Sequence, residues 1–244
     1  VVCNGSFSDP SGFDDVTFVN ATMYYAPTDE FDSPDNNLTH YTNSSCGTCA
    51  VVSGTGNVNG TCSCQFSVQY FANFGNWICN MTLVDAGTLT TFNTSSQTYL
   101  NEVLGIALNN LTLDYGSLSV TQTTGTSIEK NITNTGNIPM NLSLRGYGGV
   151  DEPEGINYTM LCASGANITF GNQRYSLYSS TAFDTMVNLT NQSRQVMNLT
   201  IPKRGLTTNQ LGNSTNVTYW RLRIPLGPAG VCNGTVIFKA VDGR

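Results

Sequence analysis

The sequence predicts an all-β chain built as two tandem sandwiches, and three observations carry that expectation. No segment holds apolar residues at i, i+3, i+4 and i+7 for three turns, which is the stripe a helix needs. β-Branched and turn-forming residues instead fall into short alternating runs separated by Gly/Asn turns. The length, 244 residues, allows either one large β domain or two sandwiches of ordinary size, and two in tandem is the architecture expected.

The first unit is placed at 1–95 and the second at 96–244. Val16 to Tyr25 reads as a strand, followed by an acidic, Pro-containing loop with Asp29, Glu30, Asp32 and Asp35. Cys62 to Tyr70 alternates cleanly, and Trp77 to Val84 is expected as its partner beyond an Asn/Gly turn at 73–76. The Thr/Ser-rich stretch 88–98 is the expected linker, and Tyr99 to Leu108 is a strand or part of that linker. In the second unit Asn134-Thr135-Gly136-Asn137 looks like a tight hairpin. Val196 to Ile201, Thr218 to Ile224 and Thr235 to Val241 are its later strands. Short strands with such turns are the pattern of immunoglobulin-like sandwiches.

Charged residues are only 11% of the chain, against roughly 25% in an ordinary soluble domain. Three lysines and a net charge of −6 exclude a nucleic-acid grip, which depends on basic side chains. No apolar run approaches the ~20 residues of a transmembrane helix. The start at Val1-Val2-Cys3, without Met, is read as a processed mature form.

The strongest signal is the acceptor triplet Asn-x-Ser/Thr. It stands at Asn4, Asn20, Asn37, Asn43, Asn59, Asn80, Asn93, Asn110, Asn131, Asn141, Asn157, Asn167, Asn188, Asn191, Asn198, Asn213, Asn216 and Asn233, eighteen of twenty-eight asparagines. With 53 Ser and Thr in 244 residues, chance pairing gives about six. Strand phase sets Asn80 opposite Trp77, Cys79, Met81 and Leu83, and Asn141 opposite Met140, Leu142 and Leu144. Asn198 is likewise set against Met197, Leu199 and Ile201. These asparagines are expected to face solvent, where covalent N-glycans would supply the hydration that the missing charges do not.

Eight cysteines, Cys3, Cys46, Cys49, Cys62, Cys64, Cys79, Cys162 and Cys232, read as disulfides in an oxidising compartment. Eight allow 105 connectivities. Cys162 with Cys232 is preferred because they stand alone in the second unit, then Cys3 with Cys79, leaving Cys46 and Cys49 for Cys62 and Cys64. The C-x-x-C spacing of Cys46 and Cys49 lacks the strand–helix context of a redox centre. A zinc site from these four would need a second pair spaced unlike Cys62-Ser63-Cys64.

His40, the sole histidine, reads as a surface loop residue. No catalytic set and no resident cofactor are expected, so the chain is not read as an enzyme. Calcium is a second metal to weigh, through the acidic stretches Asp9–Asp15 and Asp29–Asp35, which do not follow the EF-hand spacing.

Residues 115–144, with Tyr115-Gly116-Ser117-Leu118-Ser119-Val120 and the run Asn131 to Leu144, resemble a recurrent sandwich domain of archaeal and bacterial surface proteins. Residues 218–240, with Tyr219-Trp220 and Ile224-Pro225-Leu226-Gly227, are similar to its closing strands. Cys62 to Tyr70 with Gly75-Asn76-Trp77 and Cys79 resembles an immunoglobulin-like module of archaeal cell-surface proteins. The resemblance covers about half the chain and implies a structural role. The chain is then expected to be a glycosylated extracellular subunit that joins copies of itself through strand contacts, as a filament or S-layer. The alternative is an adhesin or carbohydrate-binding module, and Val1-Val2 and Val236-Ile237-Phe238 are candidate donated strands.

Overall fold

A computed structural model describes residues 1–205 and 213–244. The described residues are all-β, with seventeen strands and three short 3-10 turns. None of their helices is long and apolar enough to cross a membrane. They divide into two compact units, Val1–Val103 and Leu104–Arg244.

The first unit holds β1 (Val2–Ser8), β2 (Val16–Tyr25), β3 (His40–Asn43), β4 (Thr48–Val51), β5 (Asn59–Gln65), β6 (Gly75–Asp85), β7 (Thr90–Thr94) and β8 (Thr98–Leu100). One sheet has the order β1-β5-β4; the other runs β3-β2-β6-β7, with β8 also paired to β6. The register of β2 on β6 sets Val19 opposite Leu83, Ala21 opposite Met81 and Tyr25 opposite Trp77. That apolar face closes on Cys3, Cys62 and Cys64 of the smaller sheet, forming one core. Trp77 is buried there, and its indole N–H donates to the carbonyl of Asn73 at 2.8 Å. Each such large side chain contributes about 1.5–3 kcal/mol through burial.

Two expectations fail here. The strand from Cys62 ends at Gln65 and pairs with β1 and β4, not with the Trp77 strand. Alternation identified both strands but carries no information about pairing across sheets. The stretch 88–98 is no linker: Thr90–Thr94 is β7, hydrogen-bonded along β6. Thr98–Leu100 pairs with β6 too, so the first unit extends past residue 95.

The second unit holds β9 (Ile106–Leu108), β10 (Ile128–Asn134), β11 (Met140–Gly148), β12 (Leu161–Gly165), β13 (Gln173–Ser176), β14 (Val187–Asn188), β15 (Arg194–Ile201), β16 (Thr215–Leu222) and β17 (Pro228–Asp242). The orders are β14-β13-β16-β10-β9 and β12-β17-β11-β15. Ile132, Tyr175 and Trp220 of the first sheet meet Met140, Leu142, Leu144, Leu199 and Ile201 of the second in a shared core.

Asn134–Asn137 is therefore not a hairpin, because β10 and β11 lie in different sheets. The wholly buried Asn134 carboxamide donates to the carbonyls of Ile138 (2.8 Å) and Ile201 (3.1 Å) and accepts from the N–H of Gly136 (2.8 Å). It thereby latches a crossing between the sheets. Met197 also departs from its expected phase, being 75% exposed while Val196 and Leu199 are buried. Asn198 has φ 59°, and the β11–β15 register shifts between Asn141 and Ser143. This bulge turns Met197 outward.

Candidate functional site

Ten acceptor asparagines are exposed: Asn4, Asn37, Asn93, Asn110, Asn157, Asn188, Asn198, Asn213, Asn216 and Asn233. Asn20, Asn43, Asn59, Asn131, Asn141, Asn167 and Asn191 are partly exposed. Asn80 alone is buried, at 5%. Its phase does set it away from the Trp77 face, but β6 runs inside the sheet, and Thr22 and Thr94 flank Asn80 on the neighbouring strands. The Asn80 amide donates to Thr94 Oγ1 at 3.4 Å. Periodicity reports which face a residue takes and is silent on how far its neighbours cover it.

Acceptors also mark the sheet edges. Asn4 lies on β1, Asn43 on β3, Asn93 on β7, Asn188 on β14 and Asn198 on β15, all edge strands. β4, β8, β9 and β12 are edges with no acceptor inside the strand. Val51, the last residue of β4, and Val52 beyond it stand 41% and 38% exposed.

The cysteines form four bonds, Cys3–Cys79, Cys46–Cys64, Cys49–Cys62 and Cys162–Cys232. The first ties β1 to β6 across the two sheets of its unit, whereas Cys49–Cys62 and Cys162–Cys232 join facing residues of paired strands. The Cys46 and Cys49 sulfurs thus belong to different bonds.

One cluster of carboxylates stands apart. Asp9 follows β1, Asp15 closes the turn Phe13–Asp15, and Asp85 ends β6; oxygens of all three lie within 4.8 Å of one another. Asp9 Oδ1 accepts from the N–H of Ser11 at 2.8 Å, and Asp85 Oδ1 from that of Leu89 at 2.8 Å. Asp15 Oδ1 is enclosed and meets no donor. Desolvation, a shared hydrogen bond with Asp9, and the charges of Asp9 and Asp85 push the Asp15 carboxyl above its ordinary value. Beside the cluster opens a cleft of about 180 Å³, lined by Phe7, Phe13, Val16, Leu83 and Leu89 together with Asp9 and Asp85.

The chain matches no protein-family profile and no curated protein. Among solved structures it is similar to the CsuC–CsuE chaperone–tip adhesion subunit pre-assembly complex from archaic chaperone-usher Csu pili of Acinetobacter baumannii. The identity is 10%, the alignment covers 97% of this chain and 91% of that one, and the TM-score is 0.43, below the level of a shared fold.

Charge is divided unevenly between the units. Val1–Val103 carries nine of the sixteen Asp and Glu residues and none of the ten Lys and Arg. Formal side-chain charges are therefore −9 and +3, which together give the −6 of the chain. His40, expected on the surface, is 1% exposed, with Nδ1 at 2.8 Å from Asp35 Oδ1. The stretch Asp29–Asp35 forms no three-carboxylate cluster among the described residues. Sequence reading missed Asp85, which the β2–β6 register brings to Asp15 from seventy positions away.

Proposed function

We propose that this chain is a non-catalytic structural subunit of an extracellular, N-glycosylated archaeal cell-surface assembly, either a filament or an S-layer. Its two units are read as immunoglobulin-like sandwiches in tandem. The observation that carries the reading is the placement of the acceptors: all but Asn80 reach the surface, and five sit on edge strands. A glycan beside an open edge hinders unplanned strand addition there, so edges without acceptors are left for pairing between copies. β4, with Val51 at its end and Val52 just beyond, is the preferred contact. Opposite charge on the two units favours contact of one copy's first unit with the next copy's second unit, and such a head-to-tail contact propagates instead of closing. Four disulfides fit an oxidising exterior.

Glycopeptide mass spectrometry of native material, joined to electron microscopy, tests this. Sugars on the exposed asparagines and repeating contacts between subunits are expected. Bare asparagines, or isolated monomers at every protein and salt concentration, would overturn it.

A further inference from the structure

We propose that the sugar carried by Asn20 lies on an aromatic platform of the chain itself, formed by Phe18 and Phe92 on the outer face of the larger sheet of the first unit. This site rests on the reading of the chain as N-glycosylated and adds the surface that one of its sugars occupies. Side chains alternate along a strand, so Val19, Ala21 and Met23 of β2 enter the core while Phe18, Asn20 and Thr22 point away from it. The register carries that outer face across three strands. Phe18 stands opposite Val84, Asn20 opposite Thr82, and Thr82 in turn opposite Phe92 of β7. Phe18 is thus about 7 Å along β2 from Asn20, and Phe92 lies two strands away, about 10 Å. Thr82 and Val84, both partly buried, form a low floor between the two rings.

Three phenylalanines are exposed among the described residues, Phe18 (42%), Phe31 (56%) and Phe92 (69%), and two of them flank this one acceptor. The other end of the same face is covered. His40, opposite Tyr24, is buried there, with Nδ1 at Asp35 and Nε2 facing the carbonyl of Phe31, both in the loop between β2 and β3. The Phe18–Phe92 end carries Asn20 in place of such a cover. The Asn20 carboxamide makes no hydrogen bond to a described residue, whereas those of Asn43 and Asn80 donate to Gln65 and Thr94. The tethered group fits what the platform offers. A pyranose ring sets hydroxyls around its rim and C–H groups on one face, and those weakly positive hydrogens suit the negative face of a phenyl ring. The hydroxyls stay in water. Attachment at Asn20 keeps the sugar at high effective concentration beside both rings, an advantage that no free partner has.

A double-mutant cycle on the full, disulfide-intact chain tests the platform, run once on protein secreted by an N-glycosylating host and once on protein from a host that adds no sugar. Glycopeptide mass spectrometry first reads Asn20, which we expect to be occupied. Asn20→Gln should then lower the thermal midpoint of the glycosylated chain by about 3 °C or more. In a Phe18→Ala or a Phe92→Ala background that loss should shrink by at least half, and in the sugar-free chain the positions should show no coupling. Both rings are exposed, so neither truncation should unfold the sheet, and either one suffices for the cycle. An occupied Asn20 whose contribution is the same with and without the rings would overturn the platform and leave the glycosylated reading standing. A bare Asn20 beside occupied acceptors would do the same, whereas bare asparagines throughout would remove both. Truncations that weaken self-association but not the sugar's contribution would make this face a contact between subunits, which also overturns the proposal.

Discussion

The carboxamide of Asn134 makes three hydrogen bonds inside the second unit, and two of them go to carbonyls beyond the chain crossing, of Ile138 just before β11 and of Ile201 at the end of β15. Truncation would leave those buried carbonyls without a donor. Asn134→Ala should therefore lower unfolding free energy by about 2–4 kcal/mol in a denaturant titration, more than loss of one ordinary hydrogen bond. Asp35 provides a pH-dependent counterpart. Burial alone would raise its carboxyl, but donation from Thr42 and His40 outweighs that and holds it below the ordinary value of 3.8. A carboxyl depressed in the folded state stabilises it above the unfolded value, and that contribution fades as pH falls through the lowered one. The stability gap between wild type and Asp35→Asn should be full above about pH 4 and close in stronger acid, as acid-unfolding curves would show. Neither role is visible in the sequence, where Asn134 looks like a hairpin residue and His40 like a loop residue. Burial depends on which strands come to lie beside a residue, and local pattern does not contain that.

Strand existence was far more legible than strand pairing. The sequence predicts Val16–Tyr25 with the bounds the structure has, because its alternation answers a buried face. β7 leaves no trace in the sequence, since all five of its residues are exposed and no apolar period marks it. Cys162 with Cys232 could be named because no other cysteine lies in that half. The disulfides should differ in worth. Cys3–Cys79 closes a separation of 76 residues and Cys49–Cys62 one of 13, so chain entropy assigns about 4–5 and about 3 kcal/mol respectively. Paired Cys→Ser variants compared by urea unfolding should preserve that order. At the β4 edge, Val51→Lys should reduce self-association without unfolding the first unit, because the side chain is already exposed and an edge charge opposes strand addition. Sedimentation velocity would measure it, and unchanged assembly would remove β4 from the proposed contact.

Over the whole molecule, the division of charge makes assembly sensitive to salt. Attraction between a −9 unit and a +3 unit is screened over about 10 Å at 0.1 M salt and about 3 Å at 1 M. Assemblies joined head to tail should therefore shorten between those concentrations in light scattering. Contacts made only of apolar surface would strengthen or stay unchanged.

The absence of Lys and Arg from the first unit has one more outcome. Proteases of trypsin specificity cut after basic side chains, and the first basic residue is Lys130, whose ammonium is buried and donates to the carbonyls of Asn110 and Thr112. The amino-terminal half offers such enzymes no cleavage point before a bond that folding itself shields. A digest of the native protein should leave that half as one uncut, triply cross-linked fragment, a useful property for a molecule exposed to a neighbour's secreted peptidases.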